Sequence, residues 1–133
     1  MEAIDIWNQG INVLPEELAN SFGKPFIKPT DDNERGIIRL KFRNKNLEYK
    51  LFNFSPLGHG LLAFIKQVVR VYELRPGKSK IFVMAPVIYP KIARDLIAIG
   101  VDFMDGVGNL YINSPEVYIM RIGIKPKAAM PQD

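Results

Sequence analysis

Asp31 and Asp32, followed by Glu48 and Lys50 on either side of Tyr49, carry the spacing of a metal-dependent phosphodiesterase. In that chemistry two carboxylates hold Mg²⁺ and a lysine steadies the attacking water. An ion of that size demands adjacency: the acidic residue on one strand must lie beside the Glu-x-Lys of the next. Whether these residues meet therefore depends on the elements that carry them.

Other chemistries are narrowed by residue type. The chain has no cysteine and a single histidine, His59. Disulfides, thiolate metal sites and cysteine nucleophiles are excluded, and a zinc site or a Ser-His-Asp triad would have to be built on that one imidazole. His59 falls in Pro56-Leu-Gly-His-Gly-Leu, at the mouth of a predicted helix, where it reads as a capping or surface residue. Gly58 and Gly60 lack the further glycine and the Lys-Ser/Thr pair of a phosphate loop. With 133 residues, 47% apolar and 24% charged, one core and one domain are expected. No apolar run approaches the ~20 residues of a membrane span. The N-terminus lacks the basic start and apolar block of a secretion signal. The expectation is a cytoplasmic protein with no membrane partner.

The elements can be read from the periods. Ala3 to Phe22 reads as helix in two short pieces, with Trp7 in the core and Gly23 as the closing cap. From Gly36 the period becomes two. Ile38, Leu40 and Phe42 alternate with Arg39, Lys41 and Arg43, and Leu47, Tyr49 and Leu51 with Glu48, Lys50 and Phe52. A tight turn at Asn44-Lys45 predicts a hairpin that opposes Phe42 with Leu47, Leu40 with Tyr49, Ile38 with Leu51 and Lys41 with Glu48. In that register Glu48 lies near the turn while Asp31 and Asp32 precede the open end. The nine residues from Asp32 to Lys41 span about 30 Å when extended, too far to share an ion.

Ser55 and Pro56 then open a helix with Leu61, Ile65, Val68 and Tyr72 on one stripe, stopped by Arg75-Pro-Gly77. Lys80 to Ala85 is a short strand buried on both faces. Pro90 to Ile99 is a second amphipathic helix closed by Gly100, and Val101 to Met104, Asn109 to Asn113 and Val117 to Ile122 are closing strands. The predicted fold class is α/β, a mixed sheet flanked by helices in the order helix, hairpin, helix, strand, helix, strands. Residues 1–123 form the single domain and 124–133 a flexible tail.

The Asp and Glu-x-Lys spacing matches the loose pattern of the PD-(D/E)XK nuclease superfamily. A more specific likeness lies downstream. Met84 to Ile112, through Ala85-Pro86, Pro90, Leu96, Gly100, Phe103, Asp105, Gly108-Asn109 and Tyr111, with Ile122-Gly123 after a closing strand, resembles the AbiEi-type antitoxin regulators, bacterial transcriptional repressors of type IV toxin–antitoxin systems. The resemblance implies a restriction-endonuclease-like fold next to a winged-helix DNA-binding unit. Nuclease-like members carry an Asp and a Glu-x-Lys that have no counterpart here at Gly36 and at Phe52 to Phe54. The winged helix would begin where the chain ends, so the expectation is a fragment or a solitary domain.

The leading expectation is thus a non-catalytic nuclease-fold domain of an AbiEi-like regulator, without cofactor or metal, acting on DNA, a cognate protein or its own copies. Two alternatives stand beside it: a Mg²⁺-dependent nuclease using Asp31 or Asp32 with Glu48 and Lys50, and a structural or oligomerising module. Arg39, Lys41, Arg43, Lys45 and Lys50 are the candidates for phosphate contact, with Lys24, Lys28 and Arg35 nearby; the other reading is an ordinary solvated face. For Asp105, Gly108 and Asn109 the choice is between turn chemistry and contacts with a ligand or partner at a sheet end.

Overall fold

A computed structural model describes residues 2–29, 35–54, 59–73 and 80–126. Asp31 and Asp32, the helix opening at Ser55 and Pro56, the His59 side chain and most of the expected tail lie outside the described residues. The chain forms an α/β fold in three layers. Helices α1 (Ala3–Val13) and α2 (Glu16–Asn20) lead into strands β1 (Phe26–Pro29), β2 (Arg35–Phe42) and β3 (Lys45–Asn53). Helix α3 (His59–Glu73), strand β4 (Lys80–Ala85), helix α4 (Pro90–Ala98) and strands β5 (Asp102–Asp105), β6 (Leu110–Asn113) and β7 (Tyr118–Arg121) follow.

The seven strands lie side by side in chain order. Both ends of the sheet are antiparallel, whereas β3, β4 and β5 run parallel, joined through α3 and α4. Alternation on these strands splits the core in two. Phe82, Met84, Met104, Leu110 and Ile112 pack with Ile6 and Trp7 of α1. Ile81, Val83, Ala85 and Phe103 pack with Leu62 and Ile65 of α3 and with Ile92 and Leu96 of α4. Strand β4 is thus apolar on both faces because a helix covers each. Among the described residues no helix is long and apolar enough to cross a membrane.

Three local expectations are corrected. The hairpin turn is Arg43-Asn44 rather than Asn44-Lys45, so Leu40 faces Leu47, Ile38 faces Tyr49 and Glu48 faces Arg39 instead of Lys41. A two-residue slip leaves every side chain on its own face, and the apolar alternation therefore cannot distinguish the two registers. Tertiary contacts choose: the Arg43 N–H donates to the Ser21 carbonyl at 2.7 Å and Phe22 bridges Phe42, pinning the end of β2. Arg43 consequently takes a positive φ of 55°. Gly23 does not close a helix; α2 ends at Asn20, and the Gly23 N–H bonds to the Lys41 carbonyl. Finally β1, bracketed by Pro25 and Pro29, pairs with β2 although no strand is expected there. Gly36 makes this pairing possible, since a Cβ there would collide with the Lys28 carbonyl.

Candidate nucleic-acid interface

Among the described residues, the side of β1, β2 and β3 opposite α1 is covered only where α3 reaches it. Side chains alternate along β1, β2 and β3, and one set, including Ile38, Leu40, Tyr49 and Leu51, is buried under α1. The other set points the opposite way. Pairing places Phe26 beside Arg39 and Glu48, Lys28 beside Ile37 and Lys50, Lys41 beside Asn46, and Arg35 beside Phe52. Arg39, Lys41 and Lys28 are exposed and Lys50 is half-buried. Among the described residues of this face Glu48 is the acid, and its carboxylate accepts from Arg39 Nε at 3.2 Å across an exposed pair. The described side chains of the face are thus mostly cationic.

Aromatic rings interleave with these cations. Phe26 is 47% exposed and the Arg39 guanidinium lies 4.9 Å from its centroid. At the other end the Arg35 guanidinium sits 5.6 and 5.7 Å from the Phe52 and Phe64 centroids. Phe64 stands on α3, which borders the open strip, and between them runs a groove of about 570 Å³ lined by Phe52, Phe64, Gln67, Val68 and Val71 beside Arg35.

Of the residues expected to contact phosphate, Arg39, Lys41 and Lys50 share this face. Arg43 and Lys45 do not. The Arg43 side chain lies over Phe42 and donates to Ser21 Oγ at 3.4 Å, while Lys45 pairs with Glu116 at 3.0 Å. Both sit at the hairpin tip, and Lys45 is on the α1 side because it opposes Phe42. Glu48, the carboxylate that the nuclease alternative would use, is held by Arg39, and Lys50 lies one same-face step away on β3. Among the described residues no group of three or more His, Cys, Asp or Glu side chains is placed to hold a metal ion. The aromatic members, Phe26, Phe52 and Phe64, were not expected at this site. They come from three different elements, and only strand pairing and the seating of α3 bring them together.

Two buried polar clusters lie elsewhere. Asp105 and Asn109 are fully sealed from solvent at the turn between β5 and β6. Asp105 Oδ2 accepts from the Ile88 N–H at 2.8 Å and from Asn109 Nδ2 at 2.6 Å, and Oδ1 from the N–H groups of Val107 and Asn109. Asn109 in turn exchanges a reciprocal pair of bonds with the backbone of Ile124. The pair therefore joins the loop before α4, its own turn and the segment leaving β7. Gly108, at φ 101°, completes the turn, and its carbonyl accepts from Arg121 Nε. Tyr111 belongs to the core, stacked on Phe103. Burial raises the Asp105 carboxyl above the usual carboxylate range, against the pull of its four donors.

The second cluster was not anticipated. Asp102, also sealed, accepts from the Tyr49 hydroxyl at 2.8 Å, from Lys80 Nζ at 3.0 Å and from the Asn113 N–H at 3.3 Å. Lys80 Nζ further donates to the Asn113 carbonyl. Burial raises the Asp102 carboxyl, opposed by the Tyr49 hydrogen bond and the Lys80 charge, and burial beside Asp102 pushes the Tyr49 phenol far above its ordinary value. An aspartate inside the otherwise apolar run Val101 to Met104 was the available signal, because a buried carboxylate requires partners.

No protein-family model, no curated protein and no solved structure matches the chain.

Proposed function

We propose that this chain is a non-catalytic nucleic-acid-binding domain of an AbiEi-like transcriptional regulator, a restriction-endonuclease-like fold used for contact rather than cleavage. The observation that carries this reading is the face of β1–β3 opposite α1, where Lys28, Arg39, Lys41 and Lys50 gather beside Glu48, the one acid among its described residues. Clustered cations on one face bind phosphates by releasing counterions. The resemblance of Met84 to Ile112 supports the regulatory setting.

The test is a titration of labelled DNA between 50 and 200 mM salt. Replacing Arg39, Lys41 and Lys50 together by Ala should flatten the slope of log K against log salt by about 2 to 3. The Arg43→Ala variant should change it little. Mg²⁺-dependent cleavage of plasmid or single-stranded DNA that disappears in Glu48→Ala would instead favour the nuclease. Absence of binding at 50 mM salt would favour an oligomerising module.

A further inference from the structure

We infer that the ligand of this face is single-stranded nucleic acid, laid along β1–β3 with its bases stacked on Phe26 and Phe64; the inference rests on the proposed binding role of the face. Single-strand binders combine a cationic track for the backbone with aromatic rings for the bases, since every base presents a π-face. Both parts are present here and alternate. Phe26 lies between the cations of the neighbouring rows, and Phe64 and Phe52 close the end at Arg35. Phe26, left 47% exposed among lysines and arginines, can offer its ring to a base in addition to its contact with Arg39.

The shape of the site argues the same way. Duplex readers push a helix or a two-stranded ribbon into a groove. Here the cations stand on the strands themselves, and α3 packs on the same side of the sheet beside Phe52. Three strands about 4.8 Å apart make a strip roughly 10–15 Å wide, suited to one strand rather than two. At its end the groove of about 570 Å³ offers apolar walls from Val68 and Val71, the Phe64 ring and the Gln67 amide. That volume lies within the range of small-ligand pockets, and an amide can both donate to and accept from a base edge.

The experiment is fluorescence anisotropy on the full chain with a labelled 20-nucleotide single strand of mixed sequence and with the matched duplex. Binding at 50 mM salt should be at least about tenfold tighter for the single strand. Phe26→Ala and Phe64→Ala should each weaken single-strand binding by about 5- to 100-fold and leave duplex binding within about twofold. Both rings are at the surface, and circular dichroism of each variant verifies the fold. A Phe64→Trp variant adds a spectroscopic readout: Trp7 is buried in the core, so the exposed indole should be quenched by the single strand but not by the duplex. Equal affinity for strand and duplex, or affinity indifferent to Phe26 and Phe64, would overturn the inference and leave DNA binding standing. No binding of either form would overturn both.

Discussion

Asp105 and Asn109, four residues apart, share a sealed hydrogen bond of 2.6 Å and between them bind the backbone of Ile88, Val107 and Ile124. Replacing Asp105 by Ala strips the acceptor from three backbone N–H groups and from the Asn109 amide. Each orphaned buried donor costs about 1–3 kcal/mol, so Asp105→Ala should lower stability by at least about 3 kcal/mol, and Asn109→Ala by about 2 kcal/mol. The two losses should not add; the double variant should fall short of their sum by about 1 kcal/mol or more. Urea unfolding of the four proteins measures this. Strict additivity would show that the two side chains do not act together.

Gly10 supplies a second prediction. Glycine within a helix is ordinarily worse than alanine by roughly 0.5–1 kcal/mol. Here a Cβ would lie 2.5 Å from both the Asp105 carbonyl and Met104 Cε, because α1 presses directly on β5. Gly10→Ala should therefore destabilise by about 1–3 kcal/mol, as overpacking does. A raised melting temperature would show that α1 can stand off from the sheet at no cost.

The Asp102 cluster has a pH signature. Burial raises its carboxyl in the folded state above its unfolded value. Between those two values the folded protein holds more protons than the unfolded chain, so this group's contribution is complete below the unfolded pKa and is lost as pH rises through the folded one. Subtracting the Asp102→Asn unfolding free energies from those of the natural protein, from pH 3.5 to 7, should leave a difference that declines with pH. A difference that rises across that window would mean that the partners Lys80 and Tyr49 outweigh burial.

Glu48 and Arg39 form an exposed pair, and such pairs contribute under about 1 kcal/mol. Glu48→Gln should thus leave the melting temperature nearly unchanged. Removing the acid among the cations should tighten binding of any polyanion by about two- to threefold at low salt, an effect that fades at high salt. Weaker binding in this variant, read by the same anisotropy assay, would mean that Glu48 contacts the ligand itself.

Much of the layout was legible in the residues. The break between α1 and α2 falls at Leu14 and Pro15, α4 ends at Ala98 with Gly100 at φ 80° just past its cap, and β4 is buried on both faces as its unbroken apolar run requires. The register of the hairpin was not legible, because a slip of two preserves the alternation that specifies the faces. Strand β1 was hidden by its prolines, which read as punctuation although an edge strand tolerates them. The Asp102 cluster needed four elements to meet, as Tyr49, Lys80, Asp102 and Asn113 belong to β3, β4, β5 and β6.

Alternation and helical spacing are local properties, so the sequence by itself determined which side of β2 and of β3 is apolar, where α1 and α4 lie, and that Arg39, Lys41 and Lys50 leave the core together. It could not place Phe26 against Arg39, or Phe64 against Phe52, since those distances depend on strand pairing and on where α3 settles across the sheet. Register and helix seating are set by long-range contacts such as Ser21 with Arg43 and Gly36 with Lys28. These contacts decided that the basic residues become a face lined with aromatic rings, whereas Arg43 and Lys45 turn away from it.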